Sequence, residues 1–388
     1  MKTESTMSVQ SRQEISAILQ QAARDKTTLC VYREKVPAEG RRLDLGKLKA
    51  LTEIDSDNLV ATVEPGLLMG DLAETLAQKG LRFIPADAPY YRHLTVGEWV
   101  YHGCPSVSSW KYGPGKHTLM GSTYILPSGK SIRTGGKTVK NVTGYDFTRF
   151  LAGAYCDIGI GVEFLLKLLP QPECRMTFTA GFVSLQQVFS FINDLRNNPV
   201  SPAFLLAADD RTQRLLLGRT DTVPFLIEFE LDGVTQEVDG FGQKVRQWAK
   251  RNQALSVTTA AAGTEDDFLP LKNLFASQSA GRICDEWKVL YDKQQPVLAA
   301  LGQAYPQLGW FGQWAEGKVH AAFAKDLTDV AAKAAAISDK VKQSGGAASG
   351  SYDRRQGKLP DGPLGKLEAQ LRRTIDPQEI FAPQEGLA

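Results

Sequence analysis

The stretch 133–170, RTGGKTVKNVTGYDFTRFLAGAYCDIGIGVEFLLKLLP, limits what this chain can fold into more than any other part of it. It sets Gly135, Gly136, Gly144, Gly153, Gly159 and Gly161 between apolar runs. Such spacing marks places where a backbone turns tightly or lets another group come close. A short helix inside it has readable ends. Asp146 caps its first free N–H groups, Phe147, Phe150 and Leu151 make an apolar stripe, and Gly153 supplies the left-handed stop. The run 158–169 then reads as a buried strand, closed by Pro170 and Pro172.

Upstream, Ser11-Arg12-Gln13-Glu14 fits a capping box, with Ile15, Ile18, Leu19 and Ala22 on one helical face. A strand is expected at 29–32, another at 59–63, and a helix at 71–79 with Asp71 as its cap and Gly80 as its stop. Residues 84–117 are rich in Pro, Gly and aromatics without a sustained period, and read as a long ordered loop. A hairpin follows, 124–126 against 131–133. Past Pro172 strands are expected at 176–183, 203–208, 214–218 and 224–231, and helices at 184–197 and 235–252. A less regular region to 304 precedes a strand pair, 310–314 and 318–323, an Ala-rich helix at 326–342, and a last helix at 364–374. This alternation predicts an α+β sandwich with helices on one face of an antiparallel sheet.

With 388 residues the chain is expected to form two domains. Its 45 basic and 43 acidic residues nearly cancel and form no long run of one sign, which argues against a nucleic-acid partner. Cys30, Cys104, Cys156, Cys174 and Cys284 are scattered without a CxxC or Cys/His cluster, and read as thiols in a reducing compartment. No stretch approaches the roughly 20 apolar residues of a membrane span. The expected location is cytoplasmic. His93, His102, His117 and His320 are dispersed, so no metal site is predicted.

The run from Gly135 to Arg149 resembles the RTGGKTVKNVTGYDLTR signature of the FAD-linked oxidase family, which includes vanillyl-alcohol oxidase and the glycolate and D-lactate dehydrogenases. The likeness extends through LDL at 43–45, VEPG at 63–66 and TVG at 95–97, and returns at DPQEIFAP near the end. Within the family it is similar to the smaller flavin-binding subunits of bacterial glycolate oxidase complexes. The resemblance implies a p-cresol-methylhydroxylase-type FAD-binding fold of two α+β subdomains plus an α+β cap. The boundaries it suggests are 1–26 for a tail and first helix, 27–172 for the FAD-binding domain and 173–343 for the cap. Residues 344–388 would return to the FAD-type domain. It implies FAD as cofactor, held around Asp87, Thr95, Gly97, Gly144, Tyr145, Asp146, Gly153, Gly159 and Ile160. It also implies a larger FAD-binding catalytic subunit and an iron–sulfur subunit as partners, through which the chain would lie at the inner membrane.

Three positions depart from the pattern. Family members hold the FAD pyrophosphate with a glycine-rich loop, because several backbone N–H groups must converge on its oxygens. Here 33–42 reads REKVPAEGRR, with Gly40 as its only glycine. Glu98 and Cys156 stand where the family has glycines. Trp99, Tyr101, Trp110 and Tyr112 either stack on a flavin, fill its space, or form a subunit interface. Catalytic residues are not assigned. The function expected is an accessory or electron-transferring subunit of a 2-hydroxy-acid dehydrogenase complex. The alternative is a flavin-free scaffold for a catalytic flavoprotein.

Overall fold

The structure is a computed structural model that describes residues 6–32, 40–137, 146–153, 158–197, 201–261, 271–272, 283–314, 316–323, 330–348 and 363–381. The chain divides into two compact units. One contains Met1–Ser106, Pro114–Gln171 and Asp353–Ala388; the other contains Val107–Gly113 and Pro172–Tyr352.

The first unit is built on a five-stranded antiparallel sheet in the order Leu51–Asp55, Val60–Val63, Ile160–Lys167, Leu119–Ile125, Ser131–Gly135. The glycine-rich stretch thus supplies its centre. Ile160 and Val162 point into a core with Ile15 and Leu19 of the helix Arg12–Asp25, while Gly159 and Gly161 fall on the other side of the strand. Ser11 caps that helix as expected, its side chain accepting from the Glu14 N–H. A small parallel sheet joins Thr6–Ser8, Arg41–Asp44 and Leu29–Cys30. The end of the chain returns to this unit: Leu29 donates to Ile380 O at 2.7 Å, and the Asp376 carboxylate accepts the N–H groups of Ile380 and Phe381.

The second unit is an eight-stranded antiparallel sheet. Alternate residues, among them Phe178, Leu205, Ile227, Phe229 and Leu231, meet the helices Leu185–Arg196, Thr235–Arg251, Tyr291–Ala304 and Val330–Gln343 in one core. The α+β class with antiparallel sheets is therefore as expected.

Several local expectations are corrected. Residues 84–117 are not an irregular loop but a chain of short helices, Ile84–Asp87, Pro89–His93, Val96–Tyr101, Ser109–Tyr112 and Gly115–Thr118. Prolines in the first turn start two of them and a capping box starts the third. Residues 214–218 are not a strand. Asp209 accepts the Thr212 N–H at 2.8 Å and starts the helix Asp210–Leu215. The region 252–304 holds the strands Ser256–Ala261 and Ile283–Val289 and the helix Tyr291–Ala304. The helix expected from Asp71 begins at Met69, so Asp71 sits in its first turn rather than at its cap. Among the described residues no helix is long and apolar enough to cross a membrane.

Candidate cofactor cradle and charged sheet face

In the first unit the glycines of the sheet and the helix Val96–Tyr101 face one hollow. It is lined by Tyr32, Gly97, Val100, Tyr101, Tyr124, Leu151, Ile158, Gly159, Gly161 and Phe164. Gly97 and Gly159 are brought together here, both from the expected set. Neither tolerates a side chain. A Cβ at Gly159 would lie 2.8 Å from Ile125 O, and one at Gly97 would lie 1.9 Å from the Tyr32 hydroxyl oxygen.

The other expected residues sit apart from that hollow or at its edge. Thr95 caps the helix Val96–Tyr101. Asp87 pairs with the buried Arg82 at 3.2 Å. Asp146 caps Phe147–Leu151 and pairs with Arg149 at 3.1 Å. Gly153, with φ of +81°, packs on the backbone of Gly103, and Ile160 turns its side chain into the core. Gly144, Tyr145 and Cys156, with 33–39 of the expected pyrophosphate loop, lie outside the described residues.

Glu98 has a definite role. Its carboxylate accepts the Thr95 N–H at 2.7 Å and the Thr95 hydroxyl at 3.0 Å, while its own N–H donates to Thr95 Oγ1 at 3.2 Å. Val96 N–H donates to Leu67 O and Gly97 N–H to Pro65 O. Every amide of this turn is thus bonded within the protein, and a carboxylate covers its end. The four aromatics differ in their surroundings. Trp99 is fully buried, donates to Pro105 O and packs edge-on against Phe83; Tyr101 lines the hollow beside Tyr32. Trp110 packs against the core of the second unit, and Tyr112 donates to Asp232 at 2.6 Å.

The second unit carries a charged ladder. On the strand Phe225–Gly233, Glu228, Glu230 and Asp232 alternate with Ile227, Phe229 and Leu231. The carboxylates share the sheet face away from the helices, and all three are buried. Each has partners. Glu228 accepts the N–H groups of Leu271 and Lys272 at 3.1 and 2.8 Å. Glu230 accepts from Arg175 at 2.8 Å and pairs with Lys272 at 3.5 Å. Asp232 accepts from Lys111 at 2.7 Å and from Tyr112. Two strands along the sheet, at the end of Gly309–Gln313, Gln313 donates to Val107 O at 2.7 Å.

Burial pushes the Glu228 carboxyl up to about 8 against the pull of its two amides. Burial also acts to raise Glu230, but Lys272 and Arg175 outweigh it and hold that carboxyl below the usual range. His320 is buried in a strand and stacks on Phe311 at 4.9 Å. Among the described residues no group of three or more His, Cys, Asp or Glu is set to hold a metal ion.

Neither Tyr32 nor this ladder was legible as a site beforehand. Tyr32 has no sequence signal beyond ending a short strand. The ladder had one, the alternation Glu-Phe-Glu-Leu-Asp at 228–232, which puts three charges on one face of a strand.

Comparison with known proteins gives this architecture a context. Residues 4–135 match a family model described as an FAD binding domain. The glycolate oxidase subunit GlcD of Bacillus subtilis is 27% identical over 381 residues, covering 91% of this chain and 80% of that protein. The glycolate oxidase subunit GlcE of Escherichia coli is 28% identical over 235 residues, covering 58% of this chain and 66% of that one. In fold, p-cresol methylhydroxylase superposes with a TM-score of 0.71 at 16% identity over 98% of this chain and 88% of its own. Alkyldihydroxyacetonephosphate synthase does so with 0.72 at 14%, over 98% and 76%.

FAD is the cofactor that such a domain takes. Among the described residues, those around this hollow do not fit the whole dinucleotide. The hollow has a volume of about 20 Å³, room for roughly one water, whereas ligand pockets hold roughly 300–1,000 Å³. No amide of the turn 95–98 remains for a phosphate.

Proposed function

We propose that this chain, a member of the FAD-linked oxidases with their FAD-binding domain and fold, is an accessory or electron-transferring subunit of a 2-hydroxy-acid dehydrogenase complex. Its substrate class is that of glycolate and D-lactate. Oxidation of the 2-hydroxy acid to the 2-oxo acid falls to a larger flavoprotein subunit, and an iron–sulfur subunit completes the assembly. Any attachment to the inner membrane runs through these partners. The kinship with glycolate oxidase subunits supports the complex.

One observation carries the accessory role. The sheet face bearing Glu228, Glu230 and Asp232 is committed to its own ion pairs and amides. Glu230, locked by two cations, is a poor base, Glu228 spends its carboxyl oxygens on two backbone amides, and a cation locked by a carboxylate is a poor anchor for a substrate carboxylate. The test is dye-linked turnover of glycolate and D-lactate by the chain alone, by the larger flavoprotein alone, and by the assembled complex. Turnover is expected only where the larger subunit is present. Turnover by this chain alone overturns the reading.

A flavin-free scaffold is the second reading, favoured by the Tyr32 hydroxyl on Gly97 and by the Glu98 carboxylate at the turn. Flavin absent from an intact, folded complex subunit would decide for it.

A further inference from the structure

We propose that the second unit carries a further ligand site, a cleft on the helix side of its sheet that takes a small aromatic monocarboxylate: the ring system lies on Trp310 and Phe225, and the carboxylate pairs with Arg211. The site rests on neither the flavin nor the accessory role.

Three observations carry it. The first is place and size. The neighbouring strands Phe225–Gly233, Phe204–Asp209 and Gly309–Gln313 bring Phe225, Asp209 and Trp310 to one end of the sheet. All three lie on the face that meets the helices, opposite Glu228, Glu230 and Asp232. With Leu185 at the start of one helix and Leu298 and Gly302 of another, they bound a cleft of about 580 Å³. That is within the roughly 300–1,000 Å³ of ligand pockets.

The second is what the lining leaves unmatched. Trp310 is buried, its ring 6.1 Å from that of Phe225. Its backbone N–H donates to Asp209 and its carbonyl accepts from the Thr212 hydroxyl, but among the described residues its indole N–H makes no hydrogen bond. A buried donor is costly unless something in the cleft accepts from it. Charge points the same way. Arg214 is held by Asp210 and by Thr222 at 3.0 Å, and Asp209 accepts two backbone amides at 2.8 and 3.1 Å. Arg211, half-buried in the same lining, has no ion pair among the described residues. A carboxylate supplies the acceptor that these donors lack, and the aromatic floor suits a ring.

The third is Gly302. A Cβ added there meets nothing within 4 Å. No neighbour requires a glycine at that place in the helix Tyr291–Ala304, where glycine costs helix stability, and its bareness leaves the cleft wide.

The experiment is calorimetric titration of the purified full chain with naphthylacetate, with its uncharged amide naphthylacetamide, and with octanoate. Wild type is expected to bind naphthylacetate at least ten-fold more tightly than either of the others. Arg211→Gln is expected to bind the acid and the amide alike. Gly302→Leu fills the cleft from its bare wall, and is expected to weaken naphthylacetate at least ten-fold while its thermal midpoint stays at or above that of wild type, since leucine favours the helix.

The proposal is overturned by a lack of saturable naphthylacetate binding in wild type, by amide or octanoate binding as tightly as the acid, by an Arg211→Gln variant that still prefers the acid, or by unchanged affinity in Gly302→Leu. Should Gly302→Leu lower the midpoint, the loss of acid preference in Arg211→Gln decides alone. The readout needs neither flavin nor a partner subunit. Turnover by the chain alone, which would sink the accessory reading, therefore leaves this result standing, and the converse holds too.

Discussion

Glu228 shows how a buried carboxyl turns into a pH dependence. In the folded chain burial holds it at about 8, whereas an exposed glutamate titrates near about 4.3. Between those values the folded state keeps a proton that the unfolded state has released. Stability from this group is therefore fully present below the unfolded value and is lost as pH rises through the folded one. The variant Glu228→Gln keeps a neutral polar side chain and removes the titration. Its thermal midpoint should fall less between about pH 5 and about pH 9 than that of wild type, by on the order of 10 °C. Equal slopes would mean that the two amides of Leu271 and Lys272 keep the carboxylate ionised. The same scale explains Glu98. Read as a sequence it is a charge where a glycine belongs, and in the fold it is half of a capping box. The residue type was visible, but its partner Thr95 was assigned to cofactor rather than to the helix end.

Elements that carry their own signals were read well. The hairpin Leu119–Ile125 with Ser131–Gly135, the capped helix Leu185–Arg196 and the strand pair Gly309–Gln313 with Lys318–Ala322 all follow from local pattern and turn chemistry. Elements whose period is too short to register were missed. The five helices between Ile84 and Thr118 span four to six residues each, little more than a turn, so no apolar stripe repeats. The strand expected at 214–218 gives way to the helix Asp210–Leu215, whose start depends on Asp209, the last residue of a buried strand. At this scale Gly135 gives a sharp test. It has φ of +67°, and a Cβ there would lie 2.1 Å from Met120 O on the neighbouring strand. Gly135→Ala should destabilise the first unit by at least about 2 kcal/mol, measured as a lowered urea midpoint. A change under about 0.5 kcal/mol would mean that the strand end shifts freely.

At the scale of the whole molecule each unit has its own core, and each carries half of the functional argument. The glycine-rich stretch 133–170 carried the resemblance to the FAD-linked oxidases because its spacing encodes backbone approach, a property that survives large changes in side chains. What it did not reveal is how the approach is used. Gly97 admits Tyr32, and the sheet of the second unit turns its charges onto one another. Both depend on contacts distant in sequence, which no local period reports. A flavin domain that does not oxidise substrate by itself is therefore expected. The most direct measurement is anaerobic addition of glycolate or D-lactate to the isolated chain loaded with FAD, followed as loss of oxidised-flavin absorbance, and then repeated with the proposed partner subunits present. No bleaching by either acid is expected in the isolated chain, and bleaching is expected in the complex; reduction of the flavin in the isolated chain would overturn the accessory role.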